Sequence, residues 1–204
     1  MSLSTNAVVK LDDLFALLGF GSGTHGEDVA NLEAAIEAVS LVVRHKTNCD
    51  LVPAAAAYTA QKIDGSGSKY LYLPHWPVTV LTSVTEDDSL LVENTDFYHL
   101  DPGDLDKNRG VLERADGLNW TATQRGVLAT YTAGYLIPPN VSPTIPGDLK
   151  LAALLQSAEL WKRIKDKSWG KTSESAGGQT TTFSEKELLP FVAEILKKYW
   201  REEW

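Results

Sequence analysis

The stretch from Ile63 to Val84 reads IDGSGSKYLYLPHWPVTVLTSV, and the rest of the chain is organised around it. A Gly/Ser turn leads into a short strand, Tyr70-Leu71-Tyr72-Leu73, after which Pro74 and Pro77 bracket His75 and Trp76. Each proline fixes its own φ and lacks a backbone donor, and the residue before it is driven towards extended conformations. The segment is therefore a rigid, extended corner. A second strand follows, in which Val78, Val80, Thr82 and Val84 alternate with Thr79, Leu81 and Ser83. That is the pattern of a half-buried ladder. Nothing in the stretch supplies a nucleophile or a set of metal ligands, so it reads as scaffold.

Period two persists beyond the corner as far as Thr132. Leu90–Val92, Phe97–Leu100, Val111–Glu113 and Val127–Thr132 are strands separated by Asp, Asn and Gly turns. Between Glu86 and Asp106 there are eight acidic residues and no lysine or arginine, which makes the tips of this β region strongly negative. Towards the N-terminus the period changes to that of helices. Leu11–Phe20 is a short helix stopped by Gly19, and Thr24 with Glu27 forms a capping box for a second helix over about 25–47. Val29, Leu32, Ile36, Val39 and Val43 form the apolar stripe of that helix. Arg44, His45 and Lys46 fill its last turn, where positive charge complements the helix dipole. The alanine-rich residues 50–62 fit either a turn of helix from Pro53 or an extended link.

On the other side, a proline-punctuated link over 137–146 leads to a helix over about 148–167. Its buried face is expected to be Leu151, Leu154, Leu155, Ala158, Trp161 and Ile164. Lys171–Thr182, KTSESAGGQTTT, has the composition of a flexible loop. The last helix starts either at a Ser184–Glu187 capping box or, with fewer conflicts, at Pro190 in the first helical position. Val192, Ile195, Leu196 and Tyr199 make its stripe, extended by Trp200 and Trp204. The expected fold is α+β in a single domain, a mainly α-helical bundle with a β-rich insertion. N-terminal helices occupy 1–62, the insertion 63–136, and C-terminal helices with the 171–182 loop occupy 137–204.

A chain of 204 residues, 43% hydrophobic and 23% charged, has the length and balance of a soluble globular protein with one sizeable core. Its net charge of -8 disfavours a surface that neutralises nucleic-acid phosphates, though not a wall past which DNA slides. One cysteine, Cys49, allows no internal disulfide and fits a reducing compartment. The first 20 residues lack the pattern of a signal peptide, and no apolar run approaches the roughly 20 residues of a membrane span. The protein is expected to be cytosolic when made.

Chemistry-bearing motifs are few. Gly21–Gly26 matches G-x-G-x-x-G, but a helix precedes it where the dinucleotide fingerprint needs a strand. Asp104, Asp106 and Asn108 have calcium-loop spacing, yet Arg109 and Ala115 stand where that loop needs glycine and glutamate. His25, His45, His75 and His99 lie far apart without a second ligand at helical spacing. Cys49 follows a helix C-terminus, which disfavours a thiolate. No catalytic residue, cofactor site or metal site is expected.

Several pieces, in order, carry a resemblance. They are Arg44–Asn48 (RHKTN), Ile63–Val78 (IDGSGSKYLYLPHWPV), Tyr131–Tyr135 (YTAGY), Pro146–Ala153 (PGDLKLAA), the Lys171–Phe183 loop and the LPFV…LKKY of Leu189–Tyr199. Together they resemble the head–tail connector proteins (adaptor or head-completion proteins) of tailed bacteriophages and related prophages. The Trp-rich tail after Tyr199 has no counterpart in that pattern. The resemblance implies a non-enzymatic virion protein at the head–tail interface, present in the host cytoplasm during assembly. It would form a homo-oligomeric ring, commonly twelve-fold, under the phage portal protein. The ring would extend the DNA channel without binding DNA specifically and offer a platform to stopper or tail-completion proteins.

Within such a ring, Val192, Ile195, Leu196, Tyr199, Trp200 and Trp204 are candidates for meeting the portal, since Trp and Tyr dominate interface hot spots. Glu86, Asp87, Asp88, Asp104 and Asp106 are candidates for facing the channel. The competing reading is a small phage or bacterial enzyme with a site near the acidic turn, His75 and His99. A monomeric DNA-binding factor is disfavoured by the charge.

Overall fold

Two kinds of periodicity divide the sequence, and each builds a unit of its own. The computed structural model describes residues 3, 6–20, 26–52, 54–101, 109–115, 117–138, 142–166, 173–176, 179–182 and 188–201. One unit comprises Met1–Thr47, Ile137–Val141 and Ile145–Trp200; the other comprises Asn48–Leu136, Ser142–Thr144 and Arg201–Trp204.

The first unit is helical. Helix α1 (Leu11–Leu18) stops at Gly19, whose φ of 71° is left-handed and cheap only for glycine. The long α2 (Gly26–Thr47) buries Leu32, Ala35, Ile36, Val39 and Val43, the stripe expected of it save Val29. Ser40 Oγ accepts from the Val8 N–H at 3.0 Å and donates to the Ile36 carbonyl at 2.7 Å, which fastens the N-terminal segment to α2. Helix α3 (Gly147–Lys165) buries the expected Trp161 but otherwise centres its inward face on other residues than those expected. Leu149, Ala152, Ala153, Gln156, Ser157 and Trp161 are buried, while Leu151 is 41% exposed. Small side chains at 152, 153 and 157 allow close approach of the neighbouring helix, so the larger leucines flank the seam. Helix α4 (Pro190–Lys198) begins with Pro190 in its first turn, as the cleaner of the two starts required. Thr24, and with it the cap of the first capping box, and Ser184–Glu187 lie outside the described residues.

The second unit is built of strands: β1 (Leu51–Val52), β2 (Ala56–Ile63), β3 (Tyr70–Tyr72), β4 (Val78–Glu86), β5 (Ser89–Leu91), β6 (Phe97–His99), β7 (Val111–Arg114), β8 (Val127–Ala133) and β9 (Tyr135–Leu136). A four-stranded antiparallel sheet runs β2-β8-β4-β5 and a three-stranded one β3-β7-β6, with β1 and β9 paired in parallel. Ile63, Leu71, Leu73, Val78, Val84, Phe97, Leu112, Trp120, Val127, Ala129, Tyr131 and Ala133 form one apolar core. A further hairpin, β10 (Ser173–Ala176) with β11 (Gln179–Thr182), falls in the helical unit. Within the stretch expected to be a flexible loop, the described residues therefore form a strand pair, in keeping with the β preference of its threonines.

The expectation of a mainly helical bundle is overturned. Among the described residues four helices share the chain with eleven strands, and the sheets close a core of their own instead of decorating a helical one. Of the two readings open for the alanine-rich stretch, the extended one holds over strand β2, which pairs with β8 some 70 residues away. The simple alternation along β4 also fails. Register shifts between Val78 and Val80 and again between Leu81 and Ser83 leave Val80 56% exposed while Val78 and Val84 are buried.

The YTAGY motif acquires a physical reason here. Gly134 has φ +105°, its N–H donates to the Pro77 carbonyl at 2.9 Å, and a Cβ would lie 2.8 Å from Val52 Cγ2. Gly134→Ala is expected to lower stability by about 1–3 kcal/mol through backbone strain alone. The checking measurement is the urea midpoint, and an unchanged midpoint would contradict this account.

Candidate functional site

The Pro74–Pro77 corner is bonded to several other segments of the β unit. The Leu73 N–H donates to the Gly110 carbonyl at 2.8 Å, and the Asp50 N–H donates to the Trp76 carbonyl at 3.0 Å. Trp76 is fully buried, with the guanidinium carbon of Arg109 4.9 Å from its ring centre and that of Arg201 5.7 Å away. Arg201 Nη1 donates to the carbonyls of Leu73, at 2.9 Å, and of Arg109, while Nη2 donates to Pro74 at 3.5 Å. A guanidinium has five donors in a fixed fork and no acceptor, so one side chain can hold several carbonyls and lie over an aromatic face. Arg201 thereby fastens the C-terminal segment to the corner.

Beside it, His75 Nδ1 lies 2.9 Å from Asp50 Oδ2, and its ring stacks on Tyr58 with centroids 3.9 Å apart and planes 6° apart. Tyr58 stacks in turn on Tyr131 at 5.2 Å. The Tyr131 hydroxyl donates to Gln61 Oε1, and burial pushes its phenol well above the ordinary tyrosine range. Burial, then the Asp50 carboxylate, raises the Tyr58 phenol too. Both phenols thus remain protonated at neutral pH, and neither is poised as a base. Asp50 and Tyr58 hold the imidazole in one orientation. The arrangement stiffens a corner and prepares no nucleophile.

The acidic tip divides on inspection. Asp87 and Asp88, at φ 44° and 65°, form the two-residue turn between β4 and β5 and are exposed. Glu86 is not free to face a channel. Its Oε2 lies 2.9 Å from Arg114 Nη2, its Oε1 accepts from the Thr121 N–H at 2.6 Å, and the two side chains of the ion pair are 11% and 12% exposed. Asp104, Asp106 and Asn108, and with them the calcium-like turn, lie outside the described residues. His99 is buried on β6, His45 is exposed on α2, and Cys49 is buried and in no disulfide. His25, with most of the G-x-G-x-x-G stretch, is likewise outside the description. Among the described residues no group of three or more His, Cys, Asp or Glu is placed to hold a metal, and no helix is long and apolar enough to cross a membrane.

The C-terminal stripe divides as well. Val192, Ile195, Leu196 and Tyr199 are buried in the helical unit, and the Tyr199 hydroxyl donates to Asp148 Oδ1 at 2.6 Å. Trp200 stays 51% exposed, and Trp204 lies outside the described residues. Beside Trp200 is an open groove of about 380 Å³ walled by Leu188, Ala193 and Leu196, with Lys46 and Lys197 at its rim.

Residues 18–202 match the head completion protein family. The chain belongs to that family. No curated protein matches it. Among solved structures it is similar to a chain in the neck of an empty gene transfer agent (GTA) particle computed with C6 symmetry, at 16% identity and a TM-score of 0.51, over 100% of this chain and 94% of that one. It is also similar to a chain of the native GTA virion, at 17% identity and a TM-score of 0.49, over 98% and 92%. A third similarity is to the native neck computed with C12 symmetry, at 16% identity and 0.45, over 100% and 93%. At such identities the likeness is one of fold.

For a head completion protein, the scaffold character of the corner is in keeping with a structural role as head–tail connector, the role the sequence resemblance implied. The enzyme alternative has no support from the family or from the chemistry of His75. The residues that sequence reasoning missed are cations. Arg114, Arg201 and Arg109 each find their partners far along the chain, and no local spacing announces them.

Proposed function

We propose that this head completion protein acts in the virion of a phage-like particle as the connector between head and tail. Copies assemble, after synthesis in the host cytoplasm, into a ring under the portal protein. The ring extends the DNA channel and presents a platform to stopper or tail-completion proteins, without catalysing a reaction. The observation that carries this reading is the family match over residues 18–202. The fold likeness to a neck chain in a particle computed with C6 symmetry agrees with a six- or twelve-fold ring. The net charge of -8 suits a wall that DNA passes without adhering.

The test is the mass of the purified protein by light scattering, alone and with its candidate portal. A ring-sized species, alone or only on the portal, is the expected result. A monomer indifferent to the portal would overturn the reading.

A further inference from the structure

Two exposed features have opposite charge and matching apolar character. The first is the β4–β5 hairpin, where Asp87 and Asp88 form the tip and Leu90 beside them is 68% exposed. The second is the groove of the helical unit, lined by Leu188, Ala193, Leu196 and Trp200 together with the exposed Lys46 and Lys197. Neither lysine forms an ion pair with the described residues, and neither do the two aspartates. An exposed leucine flanked by carboxylates is what such a groove, apolar within and cationic at its rim, would take.

We propose that the occupant is a second copy of this chain, the hairpin tip of one subunit seating in the Trp200 groove of the next. Leu90 packs against Trp200 and Leu188, while Asp87 and Asp88 meet Lys46 and Lys197. Tip and groove are different surfaces, so the contact is heterologous. Repeated head to tail, it generates a ring when the rotation closes. This inference rests on the ring reading above and deepens it by naming the subunit contact. It places Asp87 and Asp88 between subunits instead of on the channel wall, and Trp200 against a neighbour instead of the portal.

Charge reversal tests it, under whichever condition gives the wild type its ring. Lys46→Glu/Lys197→Glu and Asp87→Lys/Asp88→Lys are each expected to lose the ring-sized scattering species while keeping the wild-type circular dichroism. Mixing the two variants one to one should restore it, because every reversed tip then finds a reversed groove. Asp87→Asn/Asp88→Asn, which keeps side chains tolerant of positive φ, should weaken assembly at least tenfold in the concentration required. Rings that persist in both reversals overturn the inference while leaving the ring reading standing. Groove reversal that spares the ring but abolishes portal binding also overturns it and assigns the groove to the portal. A wild type that forms no ring, alone or with portal, overturns both readings.

Discussion

Arg114→Met is expected to lower the stability of the protein by about 3–5 kcal/mol, the cost of stranding one member of a buried ion pair. Arg114 Nη2 is 2.9 Å from Glu86 Oε2, its Nη1 donates to the Asp96 carbonyl at 2.9 Å, and its guanidinium carbon lies 5.3 Å from the Trp120 ring centre. A methionine fills the volume but leaves the Glu86 carboxylate, among the described residues, with only the Thr121 N–H for company. Replacing both partners, Glu86→Leu with Arg114→Met, should recover much of the loss, because the uncompensated charge is then gone. Urea unfolding of the two singles and the double closes the cycle. A cost under about 1 kcal/mol for Arg114→Met would mean that the pair behaves as an exposed, screened one. The outcome also bears on function. An acidic run that looks uniformly available for repelling DNA contains at least one carboxylate already used by the fold.

What could be read from the sequence was local, and what could not was pairing at a distance. Gly19 ended α1 and Pro190 opened α4 because a positive φ and a missing donor act within a turn of helix. The strands from Tyr70 onward announced themselves by period and turn residues. Strand β2 did not. Ala56 and Ala57 carry no β preference, and their place is fixed by pairing with Ala133 and Thr132. The face of α3 was misjudged for a related reason. Hydrophobicity ranks leucine above serine, whereas the seam chose Ala152, Ala153 and Ser157 for their size.

The motifs that carried the resemblance were legible as strings before they had a mechanism. In Ile63–Val78, a Cβ on Gly65 would fall 2.0 Å from the Thr121 carbonyl oxygen. In YTAGY, Gly134 sits at a φ that other residues avoid. Both glycines mark places where a connection between strands passes close to another segment, Thr121 at Gly65 and Asp50 and Val52 at Gly134. The candidate interface residues fared differently because a stripe on a helix does not say which side the core will take. Val192, Ile195, Leu196 and Tyr199 went inwards, and Trp200, one position on, stayed out.

Trp76→Ala should cost about 3–5 kcal/mol, against about 1 kcal/mol for Trp76→Phe. The difference follows from what the indole does. Its ring is fully buried with two guanidiniums within 6 Å of its centre, yet its Nε1 has no hydrogen-bond partner among the described residues. A phenyl ring keeps most of the buried area and an aromatic face for the cations, and it sheds an unsatisfied donor. Alanine leaves a cavity and takes away the surface on which Arg109 and Arg201 rest, while the bonds of Arg201 to the carbonyls of Leu73, Arg109 and Pro74 remain.

Two measurements therefore belong together, the urea midpoint and the rate of tryptic cleavage after Arg201. In Trp76→Ala the midpoint should fall and cleavage should accelerate, whereas Trp76→Phe should leave both near wild type. Equal damage from phenylalanine and alanine would mean that the indole N–H has a partner after all. A lower midpoint with unchanged cleavage would mean that the carbonyls alone hold Arg201. A lower midpoint together with faster cleavage in Trp76→Ala alone would identify the Trp76 ring as what holds Arg201 in place.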